Sequence, residues 1–348
     1  MELINIENYE ETRFSTAIAL GNFDGVHIGH QQLIKKLINI SKLRGLKSSV
    51  LLFKNHTRTL VDSVGPLLLS TFEQKSRFIE NLGIDIVYNM PFNDDIRKLS
   101  PDEFFVEILI NRLNVKTIVV GIDYRFGYKA SGDTNTLLKL GEKYGVEVII
   151  FNPIYFEGNI VSSSRIRQSI LNGDMNKANQ MLGRDYSIIG KVVKGKELGS
   201  KLGFPTANIV PEINYVIPKY GVYSTETIVD NKIYLSATSV GYNPTFAENS
   251  IKIESHIIDF NKNIYNRNIE LLFIEYLRDE IKFDSVDLLK EQVFADIDSI
   301  KAKRKNVYNS WCIWYHIDVK DYLMLGFTFL GDYFAIGGYI NLEVFYKC

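Results

Sequence analysis

Cysteine is almost missing from this chain of 348 residues: only Cys312 and Cys348 occur, both near the C-terminal end. Two such residues cannot make a disulfide framework, and they point to a reducing compartment. Excess charge is missing too, because 40 basic residues face 41 acidic ones for a formal net charge of -1. That balance excludes a molecule-wide field of the kind that gathers nucleic acid, so no nucleic-acid partner is expected and any phosphate site must be local. The first residues, MELINIENYEETRF, lack the apolar stretch of a secretory signal, which makes the cytoplasm the expected location. What remains is an ordinary globular composition, 46% hydrophobic, with length for two cores.

From Thr16 to about Pro153, short apolar runs (IAL, SSVLLF, IDIVYNM, KTIVVGID, VEVIIFNP) alternate with helix-like stretches. The alternation predicts an α/β domain with a Rossmann-like parallel sheet, whose ligands gather at the carboxyl ends of strands. From Tyr186 the pattern changes to short β-rich runs separated by Gly, Pro and Asn, which predicts a small antiparallel β-barrel. The spacing of Leu288, Leu289, Val293, Ile297 and Ile300 adds a closing helix.

At one predicted strand end stands GNFDGVHIGH, residues 21–30. Thr16 to Leu20 reads as a buried strand, 21–25 as a tight turn, and Leu33, Leu37, Ile38 and Leu43 as the apolar side of a helix. His27 and His30 flank that helix start, where free N–H groups and a partial positive charge suit a phosphate. Gly21, Phe23 and Gly29 belong to the same phosphate-binding turn, Gly29 allowing close backbone approach. Half of a zinc site is the bland alternative; His56 is the only other histidine in this half, and no third ligand is evident.

Two further strings follow. GIDYRFG at 121–127, alone, is most simply a loop after a strand. SSSRIR at 162–167 joins hydroxyls, a helix start and arginines; Ser163, Ser164 and Arg167 suit a triphosphate tail, although serine-rich helix starts are usually only caps. In order and spacing the three strings resemble the adenylyltransferase half of the bacterial bifunctional riboflavin kinase/FAD synthetases, a branch of the HxGH nucleotidyltransferases. Ser164 stands where that family carries threonine. The string FKNHT at 53–57 keeps His56 but lacks the two prolines of the family's FxPHP. The resemblance implies flavin contacts at His56, Asp123 and Phe126.

In the second half, GKVVKGKE at 190–197 imitates a P-loop but ends in Glu where a Ser or Thr hydroxyl is needed, and Gly199, Gly203 and Pro205 interrupt the required helix. Its glycines and lysines can still wrap phosphates, with Gly195, Lys201 and Gly203 as candidates. The adjoining LGFPTANI at 202–209 resembles the riboflavin kinase GxPTAN signature. Thr206 and Asn208, two apart on an extended segment, can offer oxygens to a hard cation bridging ATP phosphates. Glu254 shares a strand face with His256, and the resemblance makes it the base for the ribityl hydroxyl; His256 reads as packed or hydrogen-bonded.

The implied substrates are therefore riboflavin, FMN and ATP, with Mg2+ required and FMN and FAD as products. The expected domains are 1–182 (adenylyltransferase), 183–305 (kinase) and an aromatic-rich tail, 306–348. Asp332 interrupts the tail's apolar run, so a membrane anchor ranks below a segment packed on the barrel or an end without selected function. Two other readings stand beside the bifunctional enzyme: an HxGH nucleotidyltransferase for another small substrate, and a flavin-binding sensor with degenerate catalysis. The sequence leaves oligomeric state open.

Overall fold

The computed structural model of the protein describes residues 1–8, 14–53, 67–195, 198–243 and 250–322, with side chains in the last helix only as far as Arg304. His56, most of the 53–57 string and the tail from 323 lie outside the described residues. Contacts divide the chain into two units, one made of 1–166 with 213–215, the other of 167–212 with 216–348. Residues 167–182, read from sequence as the end of the first domain, thus group with the second.

The first unit is a six-stranded parallel sheet: β1 (Glu2–Asn5), β2 (Thr16–Leu20), β3 (Lys47–Phe53), β4 (Ile86–Met90), β5 (Val115–Gly121) and β6 (Glu147–Phe151). Their order across the sheet is β1-β4-β3-β2-β5-β6, all parallel. All five residues of β2 are buried, as a central strand covered on both faces requires. Strand β1 was not legible as a strand in the acidic N-terminal stretch. The chain runs outward from β2 through β3 to β4, then returns to β5 on the other side of β2. That reversal is a topological switch point, where the strand ends part and leave a crevice. The loops after β2 and β5 both open there.

Helix α1 (Ile28–Arg44) follows β2 and ends at Gly45, whose φ of 63° gives the left-handed cap. It buries Leu33, Ile34, Leu37, Ile38 and Ile40, whereas Leu43, expected on this face, is 87% exposed. Six residues beyond Leu37, at about 100° per residue, Leu43 has rotated off the stripe. Helix α2 (Phe72–Glu80) precedes β4, and α3 (Asp94–Lys98) and α4 (Pro101–Glu103) lead through a π-helical stretch, Phe104–Arg112, to β5. Helix α5 (Thr134–Tyr144), a hairpin of β7 (Tyr155–Phe156) and β8 (Asn159–Ile160), and α6 (Ser163–Leu171) complete the series.

In the second unit α7 (Met175–Leu182) leads into β9 (Tyr186–Val193), then α8 (Leu198–Leu202) and β10 (Ala207–Pro211), β11 (Gly221–Val229), β12 (Lys232–Asn243), β13 (Ser250–Ile257) and β14 (Asn268–Arg278). These six strands close into a barrel in the order β10-β13-β12-β11-β14-β9, every pairing antiparallel. Part of the interior is polar. Thr227 meets Ser236 at 2.7 Å, Ser236 meets Thr225 at 2.8 Å, Thr225 meets Thr238 at 2.6 Å and Thr238 donates to Ser255 at 2.9 Å. Each buried hydroxyl satisfies the next, so the chain avoids the cost of an unbonded polar group.

Helix α9 (Val286–Tyr322) is fastened to the barrel by ion pairs Arg278–Asp296 at 2.7 Å, Lys301–Asp259 at 3.2 Å and Arg304–Glu226 at 2.5 Å. It continues well past Ile300, where the apolar spacing ends. No glycine or proline occurs between 286 and 322 to stop it.

Two candidate active sites

The loop after β2 has an unusual backbone. Phe23, Gly25 and Val26 have φ of 49°, 75° and 38°, a left-handed course that glycine tolerates and a β-branched valine does not. The turn delivers His27 to the N-cap of α1, where its Nδ1 accepts the His30 backbone N–H at 3.3 Å. A ring nitrogen that accepts carries no proton, so a neutral His27 holds its proton on Nε2 and can donate from that side. The His30 ring stacks on His27 with centroids 3.7 Å apart and planes 15° apart. The edge of Phe23 closes on His30 at 5.1 Å.

Gly29 lies against the folded-back His27 ring. A Cβ there would stand 3.2 Å from the folded-back His27 ring. A Cβ on Gly21 would likewise crowd Phe23 at 3.3 Å. Phe23 itself is 1% exposed, so only its backbone can serve a ligand.

Ser163 opens α6 and its hydroxyl donates to the Asp24 carbonyl at 3.0 Å, joining the third string to the first. Ser164 adjoins it, and Arg167 lies one turn further along α6. In the loop after β5, Asp123 is exposed while Phe126 is 6% exposed and packs in the core against Phe104 at 6.0 Å. Phe126, expected to touch flavin, packs there with Tyr124 stacked on it at 5.7 Å, and the exposed ring of the loop is Tyr128, 40% exposed.

Sequence reading passed over Asp24 and Lys75. Asp24 is 3% exposed and its carboxylate accepts the Leu69 N–H at 3.1 Å and the Ser70 hydroxyl at 3.3 Å. Lys75 was legible in principle, as a lysine on the apolar side of α2 one turn before Ile79.

On the barrel, Asn208 of β10 pairs directly with Glu254 of β13, and Glu254 pairs with Ser239 of β12. Directly opposed residues share a face with Cβ atoms about 5 Å apart. Ile253, Ser255 and Ile257 point inward and are buried, so Glu254 stands on the outer face. Lys252, on that same face, pairs with the Glu254 carboxylate at 2.8 Å. Gly195 approaches from above, so closely that a Cβ would collide with the Asn208 amide. Thr206 and Asn208 are half-buried, and Gly203 turns the chain toward them with φ of 94°. Phe204 is 7% exposed and meets Phe294 of α9 edge to face at 6.3 Å, while the Pro205 carbonyl contacts His256 Nδ1 at 2.9 Å. His256 thus holds the segment that carries Thr206. Lys201 is exposed on α8.

The two halves match two family models, FAD synthetase over residues 10–165 and riboflavin kinase over 182–303. A bifunctional riboflavin kinase/FMN adenylyltransferase of Buchnera aphidicola is 34% identical over 307 residues, covering 86% of this chain and 98% of its own. The chain belongs to the bifunctional riboflavin kinase/FMN adenylyltransferase family. The family member from Listeria monocytogenes is 36% identical over 296 residues, covering 84% of this chain and 94% of its own. Among solved structures, a macrolide-efflux protein from Streptococcus pneumoniae is similar at 31% identity and a TM-score of 0.79, covering 86% of this chain and 99% of its own. Among the described residues of this family member, no helix is long and apolar enough to cross a membrane.

Proposed function

We infer that this chain phosphorylates riboflavin with ATP to give FMN and ADP, and adenylylates FMN with a second ATP to give FAD and pyrophosphate. The observation that carries the reading is the Asn208–Glu254–Ser239 row on the barrel's outer face in a chain that also presents the stacked His27–His30 pair at a switch point.

In the kinase half, the Glu254 carboxylate takes the proton of the ribityl 5′-hydroxyl as that oxygen bonds to the γ-phosphorus and the bond to ADP breaks. A rigid strand and the Lys252 pair hold the carboxylate in place. Phosphoryl transfer depends mainly on such positioning and on charge stabilisation. The Thr206 hydroxyl and Asn208 carbonyl are hard oxygen donors, a set that fits Mg2+, and Gly195, having no side chain, leaves the room that the Asn208 amide occupies. When bound there, Mg2+ offsets the charge of the ATP phosphate oxygens.

In the adenylyltransferase half, a phosphate oxygen of FMN attacks the α-phosphorus and pyrophosphate leaves. His27, donating from Nε2, and His30 stabilise the charge that builds at the triphosphate, together with the N–H groups opening α1. Ser163, Ser164 and Arg167 serve the leaving pyrophosphate, and Lys201 and Gly203 serve ATP in the kinase half. No covalent enzyme intermediate is required.

Chromatography of flavins after incubation with riboflavin, ATP and Mg2+ tests the reading: FMN followed by FAD supports it. Riboflavin recovered unchanged but tightly bound would speak for a flavin-binding regulator instead.

A further inference from the structure

Glu254 has a different neighbour on each side along β13. Antiparallel pairing sets Asn208 against Glu254, so the chain running back from Asn208 to Thr206 moves toward His256, whose Nδ1 meets the Pro205 carbonyl at 2.9 Å. The oxygen donors that suit a cation therefore lie at Glu254 and on its His256 side. Lys252 lies on the other side, two residues back on the same outer face, with Nζ 2.8 Å from Glu254 Oε2. Among the described residues, Lys252 is the one ion-pair partner of Glu254.

Across the strand pair, Lys252 opposes Gly241 of β12. Gly241 has no side chain, and a Cβ there would collide with the Glu280 carboxylate. Opposed residues share a face with Cβ positions about 5 Å apart, so Glu280 brings a second carboxylate to the Lys252 side. Without Lys252, an entering phosphate would meet two carboxylates there.

The kinase reaction supplies such a phosphate. The ribityl O–H bond breaks as Glu254 takes the proton, the oxygen bonds to the γ-phosphorus, and the bond to the ADP oxygen breaks. Entering and leaving oxygens stand roughly in line across the phosphorus. With ATP and its cation at the Thr206 end, the entering oxygen comes from the Lys252 end. Transfer also moves charge: Glu254 becomes neutral on taking the proton, and a phosphomonoester with a charge of about −1.5 to −2 at pH 7 forms beside it. The Lys252 ammonium, on a flexible four-carbon stem, then has its strongest counter-charge on the phosphate and no longer on Glu254.

We propose that Lys252 is a phosphomonoester ligand of the kinase site, pairing with Glu254 before transfer and with the new phosphate of FMN after it. The proposal rests on the kinase reading above and extends it to the residue that holds the product.

Product inhibition of the full chain tests it, with Lys252→Met and Lys252→Arg. Initial rates of riboflavin phosphorylation are read as ADP release, which adenylylation does not produce, with FMN added over a range of concentrations. FMN should inhibit the parental chain in competition with riboflavin. In Lys252→Met the FMN inhibition constant should rise about 10-fold or more, the loss expected for one hydrogen bond between charged groups, while KM for riboflavin, which carries no phosphate, changes less than about two-fold. Lys252→Arg keeps the charge and should return the inhibition constant to within about three-fold of the parental value. Lys252 is 46% exposed, so both variants should fold, and FAD formation from supplied FMN at the parental rate reports that they do. A residue that only steadied Glu254 would lower kcat and leave the FMN constant where it was. An unmoved FMN constant in Lys252→Met, a rise matched by KM for riboflavin, or no recovery in Lys252→Arg overturns the proposal alone. A parental chain that releases no ADP from riboflavin overturns the kinase reading and the proposal with it.

Discussion

Replacing Asp185 by Asn should stabilise the barrel unit at neutral pH. Asp185 enters β9 with Oδ1 accepting the Asn179 amide at 2.9 Å. Burial pushes its carboxyl up from 3.8 to about 6, the Glu226 carboxylate adds to this, and Arg304 opposes it. A carboxyl whose folded value is raised favours the fold while protonated, and that contribution is lost as pH rises through about 6. The shift corresponds to about 3 kcal/mol, reduced to about 1–2 kcal/mol because Asp185 is partly exposed and screened. Asparagine retains the acceptor without the charge. Thermal unfolding followed by circular dichroism should show the barrel transition of Asp185→Asn raised by about 2–6 °C at pH 7.5 and nearly unchanged at pH 4. An equal rise at both pH values, or a fall at pH 7.5, would refute the reasoning.

Gly29→Ala places a methyl 3.2 Å from the His27 ring, so steady-state assays should show FAD formation reduced about 10-fold or more with riboflavin phosphorylation intact. Gly195→Ala drives a methyl into the Asn208 amide and should do the opposite, lowering phosphorylation by a similar factor while FAD still forms from FMN. A chain shortened to end at Lys305 retains the pairs Arg278–Asp296, Lys301–Asp259 and Arg304–Glu226, and both activities should survive in it.

Both folds were legible because their signals are local. The apolar runs of the first half mark β2 to β6, and the histidine motif marks the start of α1. The end of the GFPTAN string, Ala207 and Asn208, and Glu254 fall on strands whose alternation can be read from a few residues. Their direct opposition, Asn208 against Glu254, cannot be read, since it depends on register between strands 46 residues apart in sequence. The barrel's polar interior was hidden for a related reason: Thr225, Thr238 and Ser255 look solvated until their partners are known. The packing of Phe126 could not be read because an aromatic residue in a glycine-bounded loop gives no sign of which side it packs on.

The central claim is that two separate chemistries reside in the two halves, and Glu254→Gln tests it most directly. The change keeps shape and removes the proton acceptor, so FMN formation from riboflavin should fall about 100-fold or more. FAD formation from supplied FMN should continue at the parental rate in the same preparation. Parental FMN formation, or loss of FAD formation along with it, would contradict the account.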